Sequence, residues 1–349
     1  MPRVAGVDPG TVTIDVCVLD DGRLVAEGSW PTELAVAEPA VLAAWLADQR
    51  PELVTGPSGY GLPLVSANRA TDEDWRLAFL AAPGEDGGIG GLRRLVRTLT
   101  GPSLPLVFLP GVAHLDTVPR HRKLNRVDLG TADKVCAAAL AVAEQAETLA
   151  RGPSGVSLVL LELGGAFTAA LAVQEGRIVD GFGGTSGPMG GRSAGAWDGE
   201  VAVLAGRLTK AMLFQGGLET IVAADGRLGP AAFEAVIEAA AKAVQALRVA
   251  APDASRVVLS GRHAADPGVA DTLAERLGHE LAVVPLRGFA GVKHAAQGAA
   301  LIADGLAGGR HRDLVETMRI RHASGTVLDH LFVISPAAAR QQLGLPAGE

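Results

Sequence analysis

The sequence predicts an α/β protein built as two similar halves. Three observations carry that reading. The chain opens on an apolar run, Val4–Val7, that drives into Asp8-Pro9-Gly10-Thr11 and leaves as a second apolar run, Thr13–Leu19. The same order of strand, glycine turn, strand, turn, strand returns from Ser157 onward, and such internal repetition is a stronger signal than either hairpin alone. Finally, 48% of the 349 residues are hydrophobic and 20% charged, which supplies large cores and argues against a disordered chain. A length of this size favours about two domains.

The elements follow in order. Arg3–Val7, Thr13–Leu19 and Arg23–Gly28 read as strands, with Asp20-Asp21-Gly22 as the second hairpin turn. Residues 38–49 read as an Ala/Leu-rich helix, and Leu53–Thr55 as a short buried strand that runs into a glycine loop, Gly56–Gly61. Residues 85–100 begin glycine-rich and turn helical. Leu106–Leu109 is a further buried strand, and a long helix runs from Ala132 to near Ala150. The breaker cluster Arg151–Gly155 marks a boundary, giving domains 1–152 and 153–349. In the second half Ser157–Leu163, Thr168–Gln174 and Arg177–Gly181 repeat the three strands, with Glu175-Gly176 at the turn. The glycine-dense loop Gly181–Gly199 leads to helices at 198–215 and 230–249. Arg256–Leu259 is a strand ending in Ser260-Gly261-Arg262-His263. Asp266–Leu277 reads as a helix, Leu281–Val284 as a strand, Val292–Ala307 as a final Ala-rich helix, and Thr326–Ile334 as a late strand or packing segment.

Composition narrows the function classes. Aromatic residues are only 4%, so the cores must be Val, Leu, Ile and Ala. The net charge is −7 and no basic run is long enough for a nucleic-acid footprint. Arg120, Arg122, Lys123 and Arg126 gather around His121 on a scale that suits a small anionic metabolite. Cys17 and Cys136 read as small buried hydrophobes without metal-ligand spacing. No apolar run reaches the roughly 20 residues of a membrane span, and the chain opens without a leader pattern. A cytoplasmic protein with neither nucleic-acid nor membrane partners is expected.

The opening turn is the first candidate site. Gly10 lets backbone approach a ligand, Thr11 and Thr13 offer hydroxyls and N–H groups to phosphate oxygens, and Asp8 can hold a divalent cation. Asp-Pro-Gly also makes an ordinary hairpin turn, and that alternative stands beside the first.

The motifs resemble those of the actin-like ATPase superfamily, in its order, over about residues 3–305. Val7–Thr11 resembles its first phosphate loop, Leu161–Gly165 its second, Val257–Arg262 its adenosine motif and Gly298–Ala303 its closing helix. The resemblance implies two ribonuclease-H-like domains with a nucleotide cleft between them, and ATP with Mg²⁺ as cofactors. Within the superfamily, Met189-Gly190-Gly191-Arg192-Ser193 resembles a loop of the acetate and butyrate kinases, in the branch of predicted butyrate kinases. There the arginine contacts the transferring phosphoryl group, a role that maps onto Arg192. Gly130–Lys134 resembles a second motif of that family, with Leu129 where the family has a histidine. Glu162 likewise stands where those kinases have a histidine, and Asp116 is nearest in context to their catalytic aspartate. Those kinases are usually dimers, so a homodimer is implied.

On that basis Asp8 and Glu162 would place Mg²⁺, and Gly10, Gly164 and Gly165 would turn N–H groups to phosphate. Ser260, Gly261 and Arg262 would pass the nucleotide, and Arg192 would stabilise the transition state. Arg120, Arg122, Lys123 and Asn125 would hold the substrate. Asp128 is either a base or the N-cap of the helix that follows, and Asp133 either a base or a first-turn acid serving the helix dipole. The favoured reading is a Mg-ATP-dependent kinase of a short-chain carboxylate. Two others stay open: a sugar or polyol-type kinase with Asp128 or Asp116 as base, and a regulatory or chaperone-like ATPase without a small acceptor.

Overall fold

The computed structural model describes residues 2–10, 12–57, 59–85, 96, 98–99, 104–226 and 229–347. Thr11 and most of the helix expected over 85–100 lie outside these. The chain divides into two compact units. The first comprises Met1–Val127, Thr131–Gly155 and Gly288–Glu349, and the second Asp128–Gly130 with Val156–Arg287. The breaker cluster at Arg151–Gly155 does sit beside one crossing. A single cut at 152 is nevertheless corrected, because the chain from Gly288 onward packs with the first unit.

The first unit is built on a six-stranded sheet in the order β3-β2-β1-β4-β6-β5. Its strands are β1 (Arg3–Pro9), β2 (Thr13–Asp20), β3 (Arg23–Pro31), β4 (Leu53–Pro57), β5 (Val65–Ser66) and β6 (Leu106–Leu109). β1 pairs antiparallel with β2 and parallel with β4. It is buried from Val4 to Asp8, as expected of a strand covered on both faces, which reads as an unbroken apolar run.

The second unit's sheet runs β11-β10-β7-β8-β9. Its strands are β7 (Leu158–Leu163), β8 (Thr168–Gln174), β9 (Arg177–Phe182), β10 (Arg256–Ser260) and β11 (Ala282–Pro285). Read from the other edge, an antiparallel trio is followed by two parallel strands, as in β3-β2-β1-β4-β6. The repeat seen in the sequence is thus a repeat of topology.

What ties Gly288–Glu349 to the first unit is the helix His294–Leu306, buried from Ala295 through Gly305. Its small residues let backbones touch. A Cβ on Gly6 of β1 would overlap the Ala300 nitrogen, and one on Gly298 would overlap the Cys136 carbonyl of the helix Ala132–Thr148. Thr55 of β4 donates its hydroxyl to the Ala299 carbonyl at 2.8 Å. Gly298→Ala should therefore cost on the order of 3 kcal/mol, at the upper end of overpacking. Thermal denaturation reads this directly, and an unchanged midpoint would mean the two helices are not in backbone contact.

Two local expectations change. The helix expected over 198–215 is a helix at Gly199–Ala205 and a 3₁₀ turn at Lys210–Phe214, parted at Gly206 with φ +71°. A further helix, Leu218–Asp225, follows. Thr326–Ile334 is not a strand: the Phe332 and Val333 amides donate to the Asn125 side-chain oxygen at 2.7 and 3.0 Å instead of to a neighbouring strand. No helix among the described residues is long and apolar enough to cross a membrane.

Candidate functional site

In the first unit, Asp8 is the penultimate residue of β1 and faces Asp15 of β2 across the ladder. Two facing carboxylates repel, and a lysine from the far end of the chain answers them. Lys293, immediately before the helix His294–Leu306, sets Nζ 2.9 Å from Asp15 Oδ2 and 3.5 Å from Asp8 Oδ2. The same ammonium donates to the Thr13 carbonyl at 2.6 Å. The turn is closed by its own bonds. Gly10 N–H lies 3.1 Å from both the Asp8 and Thr13 carbonyls, and the Thr13 hydroxyl donates to Asp15 at 2.7 Å. A side chain at Gly10 would overlap Lys293 Nζ. The Gly10 and Thr13 donors expected to face phosphate are thus engaged inside the turn.

Burial pushes the Asp8 carboxyl up to about 6, with Asp133 and Asp15 adding to the rise and Lys293 and Lys134 opposing it. The start of the helix Ala132–Thr148 therefore contributes to the same site. Burial also pushes Asp133 up, but Lys134, 2.7 Å away, and the Thr131 hydroxyl hold it below the usual carboxylate range. Sequence reasoning missed Lys293. The available signal was a lysine at a helix start, where Ser, Thr, Asp or Asn is favoured.

The segment around the expected substrate cations is largely committed to structure. Lys123 is buried and donates to the Leu115 carbonyl at 2.7 Å, and burial lowers its pKa. Asn125, at φ +56°, holds the Phe332–Val333 backbone. Arg120 lies 6.0 Å over the Phe332 ring, and Arg122 is half-buried. Asp116 receives both Nε and Nη2 of Arg319, whose hydrogen bonds hold its carboxyl below the usual range.

Asp128 begins the second unit's short first segment. Thr131, not Asp128, is the N-cap of the long helix, so the capping alternative is corrected. Asp128 instead pins the glycine loop of its own unit. One carboxylate oxygen accepts the Thr185 amide at 3.0 Å and hydroxyl at 2.9 Å, and the other accepts Gly130 N–H at 3.2 Å. Its carbonyl takes Ser186 Oγ and Gly183 N–H. Asp128→Ala should lower stability by about 2 kcal/mol through lost charged hydrogen bonds. Asparagine should lose less, since it keeps an acceptor. Hydrogen exchange at Thr185 checks this, and equal loosening by both variants would sink the pinning role.

At the end of the second unit's β7, Glu162 holds the place that Asp8 holds in β1, opposite Ala169 on one side and Ser260 on the other. After Ser260 the chain passes close to Leu163. Gly261 has φ +92°, and a Cβ there would stand 2.5 Å from the Leu163 carbonyl, so glycine is required. Arg262 then passes the Gly164-Gly165 turn, its Cδ 3.8 Å from where a Gly165 Cβ would stand. The Gly190–Ser193 loop is bonded to the same turn, with the Arg192 and Ser193 amides both donating to the Ala166 carbonyl at 3.0 Å. Arg192 is exposed, its guanidinium 5.0 Å over the Phe214 ring, which meets Phe167 edge-on. Among the described residues no carboxylate pairs with it. The second unit thus gathers Glu162, Gly164, Gly165, Ser260, Gly261, Arg262 and the Arg192 loop at one end of its sheet.

Residues 6–333 match the family described as "Protein of unknown function (DUF1464)". The chain belongs to that family. A search of the curated proteins finds no match. Among solved structures this family member is similar to a propionate kinase from Francisella tularensis, with TM-score 0.59 and 13% identity over 86% of this chain and 98% of that one. Acetate kinase from Porphyromonas gingivalis gives 0.56 and 16% over 86% and 98%. Acetate kinase from Entamoeba histolytica gives 0.54 and 12% over 79% and 86%. At such identities the likeness establishes the fold, which is that of the actin-like ATPase superfamily, as the sequence motifs imply.

Proposed function

We propose that the chain is an ATP-dependent kinase that phosphorylates a small metabolite, a short-chain carboxylate in first place. The observation that carries the reading is the cluster of Asp8 and Asp133 with Lys134 and Lys293 at the end of β1. Opposite charges gathered beside a strand end suit a metal–phosphate ligand. The propionate and acetate kinases among the similar structures support a small-molecule kinase, and the resemblance of Met189–Ser193 to the carboxylate-kinase loop is what puts a carboxylate first.

Phosphoryl transfer needs positioning and charge neutralisation more than covalent help. Mg²⁺, when bound, would supply positive charge to offset that of the nucleotide phosphates. It usually takes one or two carboxylates plus phosphates and water, and Asp8 offers such a carboxylate. Among the described residues no three His, Cys, Asp or Glu side chains form a metal site by themselves, which fits a cation that arrives with its nucleotide. Glu162 is the corresponding acid of the second unit. Its Gly164-Gly165 turn and Ser260–Arg262 are the nucleotide candidates. Arg192, exposed and, among the described residues, without an acidic partner, is placed to meet the transferring group. Arg120 and Arg122 are the cations proposed for the acceptor.

In the transfer, an acceptor oxygen bonds to the γ-phosphorus as the bond to the β-bridging oxygen breaks, and that electron pair leaves with ADP. A carboxylate acceptor has no proton to lose at neutral pH. This suits a chain whose candidate bases are already engaged: Asp128 by Thr185 and Gly130, Asp116 by Arg319, Asp133 by Lys134 and Thr131. A hydroxyl acceptor would need one of them to take a proton.

The test is ADP release by the purified chain with Mg-ATP and acids from acetate to hexanoate, with hydroxylamine added to trap acyl phosphate. Trapped hydroxamate is the expected result. A phosphorylated product that resists hydroxylamine would select a hydroxyl acceptor. Turnover indifferent to metabolites but raised by a protein partner would select the regulatory ATPase.

A further inference from the structure

We propose that Lys293 is the phosphate-contacting cation of the first turn, its ammonium meeting the β- and γ-phosphate oxygens of the nucleotide beside Asp8. The proposal rests on the kinase reading above. Lys293 stands where local chemistry opposes it. It is the N-cap of the helix His294–Leu306 and makes no side-chain capping bond. Helix starts favour small oxygen-bearing side chains, and a cation there meets the positive end of the helix dipole. The reason for a lysine must therefore lie in tertiary structure.

Its ammonium is brought to the Asp8–Thr13 turn by the contacts to Asp15, Asp8 and Thr13 already described. Its side chain stays 37% exposed, whereas that of Asp15 is 4% exposed, so the cation is anchored at a buried acid yet open to solvent. Gly10 leaves the room that Nζ occupies. The Gly10 amide and Thr13 hydroxyl are engaged within the turn; the ammonium, though shared among Asp15, Asp8 and the Thr13 carbonyl, is charged, partly exposed and on a flexible stem, so it is the donor able to turn toward an incoming phosphate. Asp8 is the longer of the two carboxylate contacts, 3.5 Å against 2.9 Å to Asp15, so the ammonium can turn from Asp8 while Asp15 still holds it.

A lysine between two aspartates can also act only as their counterion, and a double variant separates the roles. Calorimetry on the full chain would give the Kd of Mg-ATP and of AMP for the wild type, Lys293→Met, Asp15→Asn and the Asp15→Asn/Lys293→Met pair. Loss of one charge-assisted phosphate contact should weaken Mg-ATP binding about tenfold or more in Lys293→Met. AMP binding should stay within about twofold, and the double variant should remain as weak as Lys293→Met. Lys293→Arg should recover part of the affinity. If Lys293→Met does not fold, Lys293→Gln, neutral yet able to donate to Thr13, carries the same comparison. Wild-type affinity in Lys293→Met, or restoration by the added Asp15→Asn, would overturn the proposal and leave the kinase reading standing. A wild-type chain that binds no ATP would instead overturn both.

Discussion

Replacing Asp8 by asparagine should make the chain more stable at neutral pH and, on the proposed kinase reading, abolish its Mg²⁺-dependent turnover. Burial raises the Asp8 carboxyl from 3.8 to about 6. The folded chain thus holds this proton more tightly than the unfolded chain does. Stability falls as pH rises between the two values, and the full cost is present above about pH 6. A rise of roughly two pKa units corresponds to about 3 kcal/mol at most. Asparagine removes that cost, while Lys293 keeps Asp15 as its partner. The melting temperature of Asp8→Asn should exceed that of the wild type at pH 7.5, and the two should converge toward pH 4. On the kinase reading, Mg²⁺-dependent ADP release should fall about a thousandfold, since Asp8 is the carboxylate proposed to hold the metal. A variant less stable than wild type at pH 7.5 would show that the ion pair with Lys293 outweighs the burial of the charge.

Arg192→Ala should lower kcat by about a hundred- to a thousandfold, the usual cost of deleting a group aimed at developing charge. Arg192 is exposed and its side-chain contact is the Phe214 ring, so the fold should hold. ATP affinity should change little if the arginine meets the phosphoryl group chiefly in the transition state. Lysine should recover little, because it cannot present a planar fork. Steady-state kinetics across alanine and lysine variants decide the matter. A rise in KM with kcat unchanged would move Arg192 from the transition state to ground-state binding.

These two residues were legible in the sequence, and their neighbours were not. Asp8 stands out because an apolar strand runs into an acid and a glycine turn. Arg192 stands out because its loop resembles a known one. Lys293 carries only a weak local mark, a lysine at a helix start, and nothing nearby in the chain points to its partner carbonyl at Thr13, 280 residues away. Asp128 looked like a cap or a base because it precedes a helix. Its oxygens are instead taken by Thr185, 57 residues on, a pairing that loop closure creates and local spacing does not encode. Lys123 and Asn125 looked like substrate ligands because charge and polarity are visible in the sequence, whereas the burial of Lys123 and the backbone partners of both are not.

By itself the sequence determined the two hairpin-led halves, their repeated strand–turn–strand pattern and the acid at the end of each first strand. Apolar runs and turn residues act within a few positions, so they can be read along the chain. The tertiary structure alone decided which unit Gly288–Glu349 joins, because that depends on Gly6 and Gly298 letting distant backbones meet. It alone placed Lys293 against the opening turn and tied up Asp128. Those outcomes depend on contacts between segments far apart in the chain, and they make Asp8-Pro9-Gly10 a charged site with a lysine in it rather than an open phosphate loop.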